Sequence, residues 1–289
     1  MALYTSSFES RPRNAVTLRL ARVLAALAVA ALFPFLFGLD LNDFERLAQW
    51  GIVRFFALGL IATVMTSIVS IVLSLPLATL LALARFARRT PQAYLSAITI
   101  EFIRALPILL VILYINVRFT ALRRVDDAIT LTGIWNTLFG SLVSQQGLAV
   151  VLALTIYTAV VNAELIRSGM GSLDRGQFEA ARALGLSYAQ MMRLVILPQT
   201  FRRVLPGLIA QFTTLVKDTS LGAIIGFVEL QRSAQIIYQQ PGYNALAVLY
   251  VAALIYFVLN YILGNASEAI QRRRERAPQR LQVELEGGA

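Results

Sequence analysis

Neither cysteine nor histidine occurs among the 289 residues. Their absence excludes disulfides, thiolate and imidazole metal sites, haem ligation by these residues, and Ser-His or Cys-His catalysis. Charge is also scarce, at 15% of residues, and lysine is reduced to Lys217 alone. That lysine follows Val216, whereas a GxxxxGK[ST] phosphate loop requires its lysine directly after a glycine. ATP hydrolysis by this chain through a P-loop is therefore excluded. What is abundant is apolar: 57% of residues, with a mean hydropathy of +0.67. Such a chain is expected in a bilayer rather than as an ordinary soluble domain. Its net charge of +10 then reads as orientation rather than nucleic-acid affinity, because arginine and lysine concentrate in cytoplasmic loops.

A hydrocarbon core of ~30 Å needs about 20 apolar helical residues. Six intervals qualify, approximately 20–39, 55–84, 94–117, 148–167, 204–226 and 245–264, with Pro76 expected to bend the second. The first also has the look of a secretory signal, since Arg11, Arg13, Arg19 and Arg22 precede an apolar run and Ala28-Val29-Ala30 resembles a cleavage site. The run from Val23 to Leu39 slightly exceeds a signal core and favours a retained anchor. With the amino terminus inside, nineteen arginines fall on the cytoplasmic side, and only Arg46, Arg54, Arg118, Arg123, Arg124 and Arg232 lie outside. Residues 168–203 are then cytoplasmic, the 117–147 segment is an external loop, and both termini face the cell interior.

The cytoplasmic stretch reads as two short, separately capped helices. Asp174 with Gln177 three residues later resembles a capping box, and Gly185 supplies a left-handed stop. Ser187 and Gln190 repeat the start signal; Tyr188, Met191, Met192 and Val195 share one helical face, and Pro198 ends the segment. A knob of this kind either docks into a partner's groove through Met and Tyr or lies on the lipid surface as an amphipathic hairpin.

The pattern Glu179-Ala180-Ala181, three residues, Gly185, nine residues, Val195, one residue, Leu197-Pro198 resembles the EAA signature of permease subunits of bacterial ATP-binding-cassette importers, with Val195 where isoleucine is more usual. The strings "AELIRSGMGSLDRGQFEAARALGLS", "LPQTFRRVLPGL", "KDTSLGAIIGFVEL" and "EFIRALPILL" resemble the subgroup that imports polar amino acids, and the likeness spans roughly residues 55–270. It implies an all-α integral membrane protein with the type I ABC importer transmembrane domain, a five-helix core plus an extra amino-terminal helix. The implied organisation is a first segment over 1–50, a permease domain over 51–270 with its coupling segment at about 172–200, and a basic tail over 271–289. Also implied are a second permease subunit, identical or paralogous, two cytoplasmic ATPase subunits that bind ATP and Mg, and an external substrate-binding protein. No cofactor is expected in this chain itself. The resemblance makes Asp174, Gln177, Glu179, Ala180, Ala181, Gly185 and Ser187 the ATPase-coupling residues and places the protein in the bacterial inner membrane. Departures occur at Val161-Asn162, where tyrosine is common at the first position, and at Arg104-Ala105-Leu106-Pro107, which replaces the frequent Arg-Gly-Thr-Pro.

Ionisable residues at bilayer depth are functional candidates by default, since each costs ~2.5–3.5 kcal/mol even on lenient scales. Glu101 with Arg104, and Glu164 with Arg167, are spaced i, i+3 and predicted to neutralise each other within one helix. Lys217 and Asp218 point about 100° apart on a helix and need separate partners. They are candidates for the carboxylate and ammonium of an amino acid, with Thr219 and Ser220 offering hydroxyls; interhelical ion pairs with Glu101 or Glu164 are the structural alternative. The competing function is a proton- or sodium-coupled secondary transporter using Glu101, Glu164 or Asp218, which leaves the capped knob without a purpose. The basic tail serves topology or contact with anionic lipid.

Overall fold

The computed structural model describes residues 36–87, 90–122 and 144–286, with three isolated positions upstream. Most of the expected 20–39 helix and of the 117–147 loop lies outside the described residues. A short helix α1, Leu41–Glu45, and a 3-10 turn, Arg46–Ala48, lead into α2, Trp50–Phe86. Then follow α3, Pro91–Ala105, α4, Ile108–Leu122, and α5, Gln145–Gly171. The segment between α5 and the next long helix holds α6, Arg175–Ala183, α7, Tyr188–Met191, and a π-helical turn, Met192–Ile196. The chain ends with α8, Leu197–Asp218, a 3-10 stretch, Thr219–Ile225, α9, Leu230–Tyr238, and α10, Ala245–Glu286. No strand occurs among the described residues.

By length and composition, α2, α5 and Ala245–Ala266 of α10 are each able to cross a bilayer. The interval expected as one span over 94–117 is instead two helices, α3 and α4, bent by 98°. Pro107 explains the break: it lacks an amide donor and pushes the residue before it out of the helical region, and Leu106 is extended at φ −81, ψ 136. The span expected over 204–226 starts earlier, at Leu197, and its α-helix stops at Asp218, where 3-10 geometry takes over. At ~1.5 Å per residue α8 is about 33 Å long, yet it carries Gln199, Arg202, Arg203, Gln211, Thr213, Thr214, Lys217 and Asp218. It is long enough to span but polar along part of its surface, as a helix beside a hydrated path would be. The basic carboxy-terminal residues continue the α10 helix to Glu286.

Helix α5 occupies the centre, packed against α2, α4 and α8. Because lipid offers no hydrophobic drive for helices to associate, close packing of small residues supplies it. On α2 the buried positions after Phe56 are Gly59, Ala62, Thr63, Thr66, Ser67, Ser70, Ser74, Ala78 and Ala82, a small-residue stripe along the helix. On this stripe Ser67 donates to the Thr63 carbonyl at 2.8 Å and Ser74 to that of Ile71 at 2.8 Å, whereas the buried Thr66 hydroxyl has no partner among the described residues. A methyl group at Gly169 would collide with the Val204 side chain, and one at Gly207 would come within 2.9 Å of Leu165, so side chains of α5 and α8 pack directly on each other's glycines. Near the start of α2, Phe44 meets Tyr250 edge-on at 5.9 Å, and Arg46 donates to the Gly242 carbonyl at 2.7 Å. Those contacts fasten the segment preceding α2 to α10 and to the turn before it.

Candidate functional site: coupling segment and polar helix ends

The knob is built by local rules. The Asp174 carboxylate accepts from the Gly176 amide at 2.9 Å and so caps α6. Gln177 does not close a capping box with it; its side-chain oxygen accepts from the Gln199 amide nitrogen at 3.0 Å instead, tying α6 to α8. At the other end of α6, Gly185 takes φ +70, its amide bonds the Arg182 carbonyl at 2.9 Å, and the Leu186 amide reaches the Ala181 carbonyl at 3.2 Å. That is a Schellman stop, and with the Leu184 amide on the Ala180 carbonyl at 3.1 Å it satisfies the carbonyls of Ala180, Ala181 and Arg182. The predicted second box is present: Ser187 and Gln190 each bond the other's backbone amide, at 3.4 and 2.9 Å.

Two expectations about the second half of the knob are corrected. Met191 and Met192 are 2% and 4% exposed and pack with Ile196 and Val204 in the interior, so they hold the knob to the protein instead of presenting it to a partner. Pro198 does not end the segment; it sits in the first turn of α8, where its missing amide is harmless, and the π-helical turn makes α7 and α8 one continuous helical rod. What remains exposed is Leu184, at 78%, with Tyr188, Glu179, Ala180 and Arg182 nearby in sequence, whereas Ala181 is buried. Phe178 stacks on Phe86 at the end of α2, centroids 6.0 Å apart. The knob is thus anchored to α2, α5 and α8 at once and carries an exposed leucine at its bend.

Below α2, α3 and α5 lies an ion cluster. Glu164 accepts from Arg167 at 2.5 Å and from Arg85 at 3.0 Å, while Glu101 pairs with Arg85 at 3.4 Å. The expected pair within α5 therefore forms, but the one expected between Glu101 and Arg104 does not. Glu101 turns to the neighbouring helix, because Arg85 satisfies two carboxylates at once. Helices α2, α3 and α5 are cross-linked at one end by this arrangement.

Within this chain Lys217 and Asp218 join no ion pair among the described residues, and Glu101 and Glu164 are engaged with Arg85 and Arg167 instead. Lys217 is exposed and Asp218 half-buried at the end of α8. Thr219 is buried, and its hydroxyl donates to the Val216 carbonyl at 2.8 Å; Ser220 donates to that of Lys217 at 2.7 Å. These hydroxyls satisfy carbonyls at the helix terminus, so the charged pair, rather than the hydroxyls, is available to a ligand.

Residues 74–276 match the family described as "Binding-protein-dependent transport system inner membrane component". The chain belongs to this family. The permease is 35% identical over 218 residues to the probable glutamine ABC transporter permease protein GlnP of Bacillus subtilis, covering 75% of the chain and 92% of that relative. It is 36% identical over 216 residues to the glutamate transport system permease protein GluD of Corynebacterium glutamicum, covering 74% and 73%. Among solved structures, an amino acid ABC transporter with histidines aligns with a TM-score of 0.62 at 28% identity over 76% of the chain and 94% of that structure. The fold is that of a type I ABC importer transmembrane domain, and the protein is an ABC permease, a membrane-embedded transport subunit.

The permease also contains a site that its sequence did not single out. Glu229 is fully buried. Its carboxylate accepts from the Tyr256 hydroxyl on α10 at 2.7 Å, from the Thr63 hydroxyl on α2 at 3.3 Å, and from the Arg232 amide at 2.8 Å. Thr63 in turn accepts from the Leu230 amide at 3.2 Å. The available signal was an acid within the apolar run "GAIIGFVEL", which the rule for charges at bilayer depth would have flagged. Asn162 of α5, at the departure from the family pattern, is buried, and its side-chain amide donates to the Ser74 hydroxyl of α2 at 3.4 Å. It packs two helices of the same subunit together.

Proposed function

We propose that the permease imports polar amino acids as one of two transmembrane subunits, identical or paralogous, driven by two cytoplasmic ATPase subunits and fed by an external binding protein. In this reading both termini are cytoplasmic, the protein sits in the bacterial inner membrane, and ATP and Mg are held by the ATPases. The observation that carries it is the anchored knob. A segment gripped by α2, α5 and α8, and continuous with α8 through a π-helical turn, transmits a push on Leu184 and Gly185 to the spans as a rigid-body displacement. Glu179, Ala180 and Arg182 are exposed beside that tip, the arrangement expected of a surface that docks on another subunit. Glutamine and glutamate appear in the names of the two relatives, and an exposed lysine beside a half-buried aspartate suits a ligand with one carboxylate and one ammonium. A secondary transporter is not favoured: the family is one of binding-protein-dependent transport components, and of the candidate ion sites Glu101, Glu164 and Asp218 the first two are engaged by Arg85 and Arg167.

Reconstitution tests the reading directly. Proteoliposomes holding the permease with its ATPase are expected to take up glutamine or glutamate only with internal ATP and external loaded binding protein. Uptake driven by a proton or sodium gradient without the ATPase would refute it. Lys217→Met and Asp218→Asn are each expected to lower uptake at least about tenfold, the equivalent of ~1.4 kcal/mol, with ATPase association unchanged. Full uptake by both variants would remove this pair from the pathway.

A further inference from the structure

A carboxylate needed only to cap a nine-residue helix requires one backbone amide and is ordinarily left in water. Glu229 does cap α9 through the Arg232 amide, but it is fully buried and also takes hydroxyls from two other helices. Thr63 stands thirteen residues into α2 and Tyr256 eleven residues into α10, which at ~1.5 Å per residue places both about 17–20 Å from the helix starts. The cluster therefore lies well inside two helices that are each able to cross a bilayer, where an acid is costly to hold. No cation pairs with it among the described residues; the Arg232 guanidinium points to Gln235 at 3.1 Å. Neutral donors alone support the carboxylate: backbone amides of α9, the Thr63 hydroxyl of α2 and the Tyr256 hydroxyl of α10.

The geometry continues to the end of α8. The Tyr256 hydroxyl that donates to Glu229 lies beside the Thr219 hydroxyl, and Thr219 directly follows Lys217-Asp218. Gly226 turns the chain at φ +86 only three residues before Glu229. Gly59 faces Ser233 across α9 with no room for a methyl group, so α9 is pressed against α2 at the same level.

We propose that Glu229 is a positioning residue of the translocation pathway: through Tyr256 and Thr63 it ties α2, α9 and α10 into one unit and holds the α8 terminus that carries Lys217 and Asp218. This rests on the importer reading above. The test uses the complete complex, permease with ATPase and loaded binding protein, in proteoliposomes, and measures ATP hydrolysed per amino acid imported. Glu229→Gln and Tyr256→Phe are expected to lower uptake about tenfold and several-fold while stimulated hydrolysis stays within about twofold, so that the ratio rises. The double variant should be no worse than Glu229→Gln alone, because both act through one hydrogen bond. A residue that merely holds the fold would lower uptake and hydrolysis together, in proportion to assembled complex, and leave the ratio unchanged. Wild-type ratios in Tyr256→Phe and Thr63→Val overturn the proposal, including the case in which Glu229→Gln fails to assemble. If the wild-type complex itself imports no amino acid with ATP, the importer reading falls as well; if it imports and only the ratios stand still, this inference alone is lost.

Discussion

Leu184→Asp is expected to abolish ATP-dependent uptake while leaving the permease folded and inserted. The side chain is 78% exposed at the tip of the knob, so removing it sacrifices little packing inside the subunit. Surface substitutions away from special features usually change stability by less than ~0.5 kcal/mol. In an interface the outcome differs, because an aspartate placed in an apolar socket loses the leucine contact and must be desolvated, and central anchors of this kind cost ~2–4 kcal/mol or more when altered. That range corresponds to about 30- to 1,000-fold in ATPase affinity. Gly185→Val provides the contrast. Nothing lies within 4 Å of where its side chain would start, so it creates no collision, but φ +70 makes any β-carbon strained by ~1–2 kcal/mol. A partial, conformational defect is expected there, and a near-complete docking defect at Leu184. Co-purification of the ATPase and its stimulation in proteoliposomes measure both; a Leu184→Asp complex that assembles and imports like the wild type would show that the tip is not the docking point.

What could be learned before the structure depended on how local each interaction is. The Ser187–Gln190 box and the Gly185 stop lie within a few residues of their partners and were visible as letters. Pro198 was visible too, but proline marks the first turn of a helix as readily as the end of the previous one, and only the π-helical turn before it settles which role applies here. Spacing alone assigned Glu101 to Arg104, three residues away. The turn after α2 instead brings Arg85, sixteen residues back, within 3.4 Å, and tertiary geometry wins over the short-range rule. The same holds for the methionines: an amphipathic face tells which residues share a side, not whether that side meets a partner or the protein's own interior. Glu229 stands out in sequence as an acid in an apolar run, but its partners, Thr63 and Tyr256, are 166 residues before it and 27 after it. No periodicity encodes such a meeting.

The knob moves the spans only if its two attachments are stiff, and Gly169 is where that stiffness is most easily removed. It lies in the last turn of α5, two residues from the helix end, and a side chain there would run into Val204 and crowd Thr200, which are 5% and 0% exposed. Neither neighbour has free space to retreat into, and overpacking a filled interior costs ~1–3 kcal/mol for a methylene or two, with leucine adding more. Gly169→Leu is therefore expected to push α8 away from α5 at the base of the knob. The contact that bridges the same gap, Arg203 donating to the Ser172 carbonyl and hydroxyl, would be lost with it. The measured result should be a thermal midpoint lowered by several degrees, on the scale of ~2–4 °C per kcal/mol for a chain of this size, together with loss of uptake. Compensation makes the cause specific: Gly169→Ala adds one methyl, and Val204→Ala removes the methyl it would strike, so the double variant should recover most of the stability that Gly169→Ala loses. If Gly169→Leu keeps the wild-type midpoint and uptake, the helices have room that the close approach denies. If the double variant is no better than Gly169→Ala, the Val204 contact is not what holds α5 and α8 together.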